Sequence, residues 1–170
     1  VRPQQNRLRK ALQQISDQYD FCVVDNAPDI NISVINALTA ANDVLIPVEV
    51  DDNTLEGMKE LLEQIEEVKE ELNPELQNVK CFISKYQRLN EAHTQGADVI
   101  QDCYPTMDTR IRASAVVARS TFARIPVALY SPRSAAAEDY ETLVNEYLDM
   151  IGDGNICQRH QLMLKEKWMV

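Results

Sequence analysis

Three short apolar runs, each closed by polar or turn-forming residues and each separated by a segment of helical spacing, constrain this chain more than any other feature. The first lies in YDFCVVDNAPD, from Tyr19 to Asp25, and stops at Asp25 and Pro28. The others are DVLIPVEV, Asp43 to Val50, and VKCFIS, Val79 to Ser84. Runs rich in β-branched and aromatic residues and bounded in this way read as buried strands. Between the first two, INISVINALTAA repeats Ile32, Ile35, Leu38 and Ala41 at helical spacing. After the second, a longer helix from about Leu55 to Leu72 carries Leu55, Met58, Leu61, Leu62, Ile65, Val68 and Leu72 in one stripe, with seven glutamates as a solvated outer face. Strands alternating with helices of this length pair in parallel through right-handed crossovers, which predicts an α/β domain with helices on both faces of the sheet.

Outside that frame, a helix near Pro3 to Ser16 precedes the first strand, and Met107 to Ile111 and Val127 to Tyr130 are expected as short strands. SAAAEDYETLVNEYLDMI reads as a closing helix with Ser134 as its N-cap. The last residues begin at a glycine hinge, so the division expected is one domain over 1–151 and a tail over 152–170, either frayed or a short amphipathic anchor.

With 170 residues and 45% hydrophobic content, the chain can bury one core. No stretch approaches the roughly 18 apolar residues of a membrane span, and VRPQQNRLRK lacks the apolar block of a secretory signal, so a cytoplasmic protein is expected. Cys22, Cys81, Cys103 and Cys157 form no C-x-x-C pair; Cys22 and Cys81, inside apolar runs, are expected to be buried and inert. His93 and His160 have no neighbours at metal-binding spacing. The formal charge of −10 excludes a protein that coats nucleic acid with its whole surface, yet the charge is uneven. Eleven acids face only Lys59 and Lys69 between Glu49 and Glu75, whereas Tyr104 to Ser134 sets Asp108 against Arg110, Arg112, Arg119, Arg124 and Arg133.

In a parallel α/β sheet, ligands sit beyond the carboxyl ends of the strands, which gives Asp25, at the end of VVD, a favoured functional position. The continuous run from Tyr19 to Gly57, with INAL, IPV and LEG in that order, and the later YSPRSAAAEDY from Tyr130 to Tyr140, resemble ParA and Soj partition ATPases. The resemblance covers most of residues 8 to 148 and implies a P-loop NTPase fold of the ParA/MinD kind. It makes Asp25 the Walker B aspartate, holding Mg²⁺ of bound ATP through water, a suitable task for one carboxylate. It makes Asn26, Ala27 and Pro28 the start of a switch loop, and places Pro132 and Arg133 near the nucleotide base. Ala27 stands where the family has a proline, and Asp29 where a small polar residue is usual.

A phosphate loop, G-x-x-x-x-G-K-[ST], is missing: none of Gly57, Gly96, Gly152 and Gly154 precedes a lysine. The family carries that loop at its first strand, so the chain is read as a C-terminal portion, either a fragment or a truncated gene product. The resemblance also implies nonspecific DNA binding through Lys85, Arg88, Arg110 and Arg112, because phosphate contacts need only positive charge. The other reading of these arginines is that they solubilise or pair with the acidic helix. For the complete protein the resemblance implies ATP-dependent homodimerisation, ATP hydrolysis stimulated by a ParB-like partner, and a cytoplasmic, nucleoid-associated location without a membrane partner. A non-enzymatic DNA- or protein-binding module, or a MinD-like membrane-positioning ATPase, are the alternatives. In this chain itself no catalytic residue is assigned. Titration calorimetry of the chain with ATP and Mg²⁺ should give a dissociation constant no tighter than about 1 mM, because the loop supplying most phosphate contacts is absent; micromolar binding would place the nucleotide site elsewhere.

Overall fold

The computed structural model describes residues 3–27, 30–51 and 53–152. Its regular elements are α1 (Arg7–Gln13), α2 (Ile32–Ala40), β1 (Asp43–Glu49), α3 (Thr54–Leu72), β2 (Asn78–Tyr86), α4 (Glu91–Cys103), β3 (Thr106–Arg112), α5 (Ala115–Ala123), α6 (Val127–Tyr130) and α7 (Ala135–Met150). The strands form a parallel sheet in the order β1-β2-β3, flanked by helices, as the alternating pattern requires. Two compact units divide the chain: Val1–Ile46 with Asp52–Lys80, and Pro47–Asp51 with Cys81–Val170.

In the first unit, Asn31 starts α2 by accepting hydrogen bonds from the backbone N–H groups of Ser33 (2.9 Å) and Val34 (3.3 Å). Leu38, Ile65 and Leu76 form the core, with Val34, Ala41, Val44, Ile46, Leu61, Val68 and Val79 packed around them. The seven glutamates of α3 are all exposed, so its charged face is solvated as the periodicity predicts. Asn73, fully buried just past α3, fastens this core: its amide donates to the carbonyls of Leu38 (2.8 Å) and Ala41 (2.7 Å) and accepts from Arg9 of α1.

The second unit is built on β2, β3 and α7. Met107, Ile111 and Leu143 pack with Phe82, Tyr140, Tyr147 and Met150. The register of β2 against β3 slips twice, from Cys81↔Thr106 to Ile83↔Arg110 and then to Tyr86↔Arg112. The first slip inserts extra residues into β3, and the second an extra one into β2. At the second, Lys85 takes a left-handed φ of 51°, the local strain of a bulge that re-aims the chain leaving β2. Ser134 caps α7 through Ala137 N–H at 3.3 Å, as its sequence predicts.

Several sequence expectations are corrected. Residues 19–27 form no strand and carry no sheet ladder, and Tyr19, Phe21, Val23 and Val24 are exposed. β-propensity favours a strand, but a ladder needs neighbouring strands, which propensity cannot supply. Cys22 is exposed for the same reason, while Cys81, inside β2, is buried as expected. Val127–Tyr130 is one helical turn, closed by the N–H groups of Leu129 and Tyr130 donating to Pro126 O at 2.9 and 2.8 Å; four apolar residues carry no period by which strand and helix differ. The Pro3–Ser16 helix is shortened to a 3₁₀ turn at Pro3–Asn6 followed by α1, with a further 3₁₀ turn at Ser16–Gln18. Helices α4 and α5, which the apolar pattern alone leaves unassigned, start at Asn90 and Ser114, each of which caps a following N–H. The tail from residue 153 on, with Cys157 and His160, lies outside the described residues, as does Pro28.

Replacing Asn73 by Ala should lower stability by about 2–4 kcal/mol, because two carbonyls lose a buried partner and each such orphan costs about 1–3 kcal/mol. Urea unfolding of the purified chain measures it; a loss under about 0.5 kcal/mol would mean that water replaces the amide.

Candidate nucleic-acid interface

Beyond the carboxyl ends of β2 and β3 lies an open groove lined by Tyr86, Gln87, Arg88, Leu89, Asn90, Arg112 and Ala113. A parallel sheet presents ligands at this end of its strands, and two of the four arginines and lysines expected to meet DNA are here. Arg88 is exposed and, among the described residues, carries no ion pair. Lys85, one residue before the groove, pairs with Glu49, both side chains being more than half exposed.

The other two arginines are held. Arg112 forks onto Asp139 of α7, with Nε donating to Oδ2 at 2.7 Å, Nη2 to Oδ1 at 2.5 Å and the backbone N–H to Oδ2 at 3.0 Å. Asp139 is buried, so the bidentate pair supplies the charge that its carboxylate needs. That hydrogen bonding to Asp139 also raises the Arg112 pKa above its ordinary value. Arg110 donates to Asp98 Oδ1 at 2.6 Å, to Gln101, and to the Tyr86 hydroxyl at 3.4 Å. Its Cζ lies 5.2 Å from the Tyr86 ring centroid, within cation–π range. Partial burial works against the Arg110 charge, but hydrogen bonds with Asp98 and Tyr86 outweigh it and raise the pKa. Both partners come from α4 and α7, not from the glutamate-rich α3 that sequence reasoning offered. Asp139 was legible in principle: it falls on the buried stripe of α7 with Ala136 and Leu143, where a carboxylate requires a cation.

Asp25 lies within residues 21–27, which have no regular secondary structure, in the first unit and is exposed. Pro132 and Arg133 are exposed in the turn between α6 and α7 of the second unit. Among the described residues no three His, Cys, Asp or Glu side chains cluster as a metal site. A lone carboxylate such as Asp25 suits an outer contact to Mg²⁺, but with no phosphate loop in the sequence these residues do not by themselves compose an ATP–Mg²⁺ site. No described helix is long and apolar enough to cross a membrane.

Residues 1–78 match the AAA domain family. The chain is 30% identical over 144 residues to the cell division protein PomZ of Myxococcus xanthus, covering 84% of this chain and 45% of that protein. It is 30% identical over 146 residues to the chromosome partitioning protein ParA of Caulobacter vibrioides, covering 84% of this chain and 55% of that one. The chain is thus similar to ParA/Soj-type partition ATPases over most of its own length. It spans about half the length of the curated relatives it matches. The fold is that of the ParA/MinD P-loop NTPases: the cell division ATPase MinD of Pyrococcus furiosus superposes with a TM-score of 0.70 at 16% identity, over 86% of this chain and 59% of that structure.

Tyr86 offers a direct probe of the groove. Its hydroxyl pairs with Thr94 Oγ1 at 3.1 Å, and this bond is the largest influence lowering the phenol pKa below 10.0; burial opposes it and Arg110 reinforces it. A folded-state pKa below the unfolded one means that stability rises with pH between the two values and is lost as pH falls through the folded one. In Thr94→Val, unfolding free energies across the alkaline range should rise less steeply than in wild type, and tyrosinate absorbance should shift to higher pH for one residue. Superimposable titrations would show that the hydroxyl pair does not form.

Proposed function

We propose that this chain is a portion of a ParA-family ATPase that partitions plasmid or chromosomal DNA. The complete protein binds ATP with Mg²⁺, dimerises in the ATP state, holds DNA without sequence preference on the nucleoid, and hydrolyses ATP faster with a ParB-like partner. The observation that carries the reading is the match to a chromosome partitioning protein over 84% of the chain. The exposed Arg88 beside the groove supports the DNA part of it, since an unpaired cation at the open end of a sheet suits a polyanion. To the nucleotide site this chain contributes Asp25 as the magnesium-side carboxylate, Pro28 in the switch loop, and Pro132 and Arg133 beside the base. To the DNA face it contributes Arg88 first, with Lys85, Arg110 and Arg112 around it.

In the complete protein, Asp25→Ala should strongly reduce Mg²⁺-dependent ATP turnover without altering the circular-dichroism spectrum, and Arg88→Glu should abolish retention of random-sequence plasmid DNA while sparing ATP binding. Turnover unchanged in the first variant removes the Walker B role from Asp25. A normal gel shift in the second moves the DNA face away from this groove.

A further inference from the structure

Arg110 belongs with the groove arginines by sequence and apart from them by contact. Only 21% of its side chain is exposed, and its guanidinium is committed to Asp98, Gln101 and the Tyr86 hydroxyl while lying over the Tyr86 ring. A phosphate reaching it would have to displace a carboxylate already at 2.6 Å. What Arg110 grips is one end of the turn that bears Arg88. The Tyr86 carbonyl accepts from Ala113 N–H at 2.9 Å, and its hydroxyl pairs with Thr94 at 3.1 Å. The Thr94 N–H donates to Asn90 O at 3.0 Å, and Asn90 N–H donates to Gln87 O at 3.0 Å. The segment from Tyr86 to Asn90 is therefore closed on itself, and Arg88 rides on it between two fastened ends.

We propose that Arg110 is a positioning residue for DNA binding and not a phosphate contact: by clamping Tyr86 it fixes the Tyr86–Asn90 turn and so presents Arg88 to the polyanion. This rests on the reading of the groove as a DNA face. The chemistry separates the two roles. A phosphate contact tolerates lysine, because charge is all that it uses. A planar fork stacked on a ring and hydrogen-bonded to two side chains does not, because an ammonium cannot reproduce its geometry.

The test is the affinity of the complete protein for a random-sequence duplex, measured against KCl concentration, for Arg88→Ala, Arg110→Ala, Arg110→Lys and the double variant Arg88→Ala/Arg110→Ala. Arg88→Ala should lower the log–log salt slope by about one unit. Arg110→Ala should lower it by about the same amount, Arg110→Lys should behave like Arg110→Ala despite keeping its charge, and the double variant should lose about one unit rather than two. Tyr86→Phe, which retains the ring and loses only the hydroxyl bonds, should weaken binding in the same direction and covers the case in which an Arg110 variant fails to fold. Wild-type binding by Arg110→Lys, or a two-unit loss in the double variant, makes Arg110 a direct contact and overturns the proposal while leaving the DNA face in place. An unchanged slope in Arg88→Ala overturns the DNA face and the positioning role together.

Discussion

The second unit depends on how the outer edge of β3 is satisfied. β3 ends the described sheet, and its ladder with β2 is broken by a slip of register, so backbone N–H groups are left without strand partners. Two carboxylates of α7 take them. Glu146 accepts from the N–H groups of Asp108 at 2.6 Å and Thr109 at 2.9 Å, and from the Thr109 hydroxyl at 2.5 Å, while Asp139 accepts from Arg112 N–H at 3.0 Å. Seven residues apart, these acids share one face of α7 with Leu143 between them, so the helix that buries Met107 and Ile111 also closes the strand edge.

That arrangement decides what the basic stretch can offer a polyanion. By composition the region from Tyr104 to Ser134 is strongly positive within an acidic chain. In the structure, Asp139 draws Arg112 onto α7 and Asp98 draws Arg110 onto α4, so two of the charges are compensated within ion-pair distance. The field left at the groove is accordingly smaller and more local than the residue count suggests. Within a screening length of about 8 Å at physiological salt, the position of individual arginines matters more than their sum.

The residues that the resemblance assigns to a nucleotide contrast with this. Asp25 follows an apolar run whose side chains remain exposed, and its segment belongs to a different unit from Pro132 and Arg133. Hydrogen bonds between strands are non-local, so a β-prone segment does not form a strand on its preference alone.

The sequence by itself determined the class of the fold: bounded β-branched runs, helical spacing and an N-cap placed β1, α2, α3, β2, β3 and α7 within a few residues of where they lie, because each of those elements buries residues in the core. It also carried the resemblance to partition ATPases, since INAL, IPV, LEG and YSPRS keep their order. Tertiary structure alone decided the partners of the charged residues. Arg112 and Asp139 are 27 residues apart and Arg9 and Asn73 are 64 apart, and no local period relates such pairs. It also decided that residues 19–27 stay outside the sheet and that Val127–Tyr130 turns into a helix, for ladder pairing and a four-residue turn are both settled by neighbours rather than by propensity. The division between Arg88, open beside its groove, and Arg110, locked over Tyr86, is of the same kind: two arginines with equal charge, separated only by what the folded chain puts next to each.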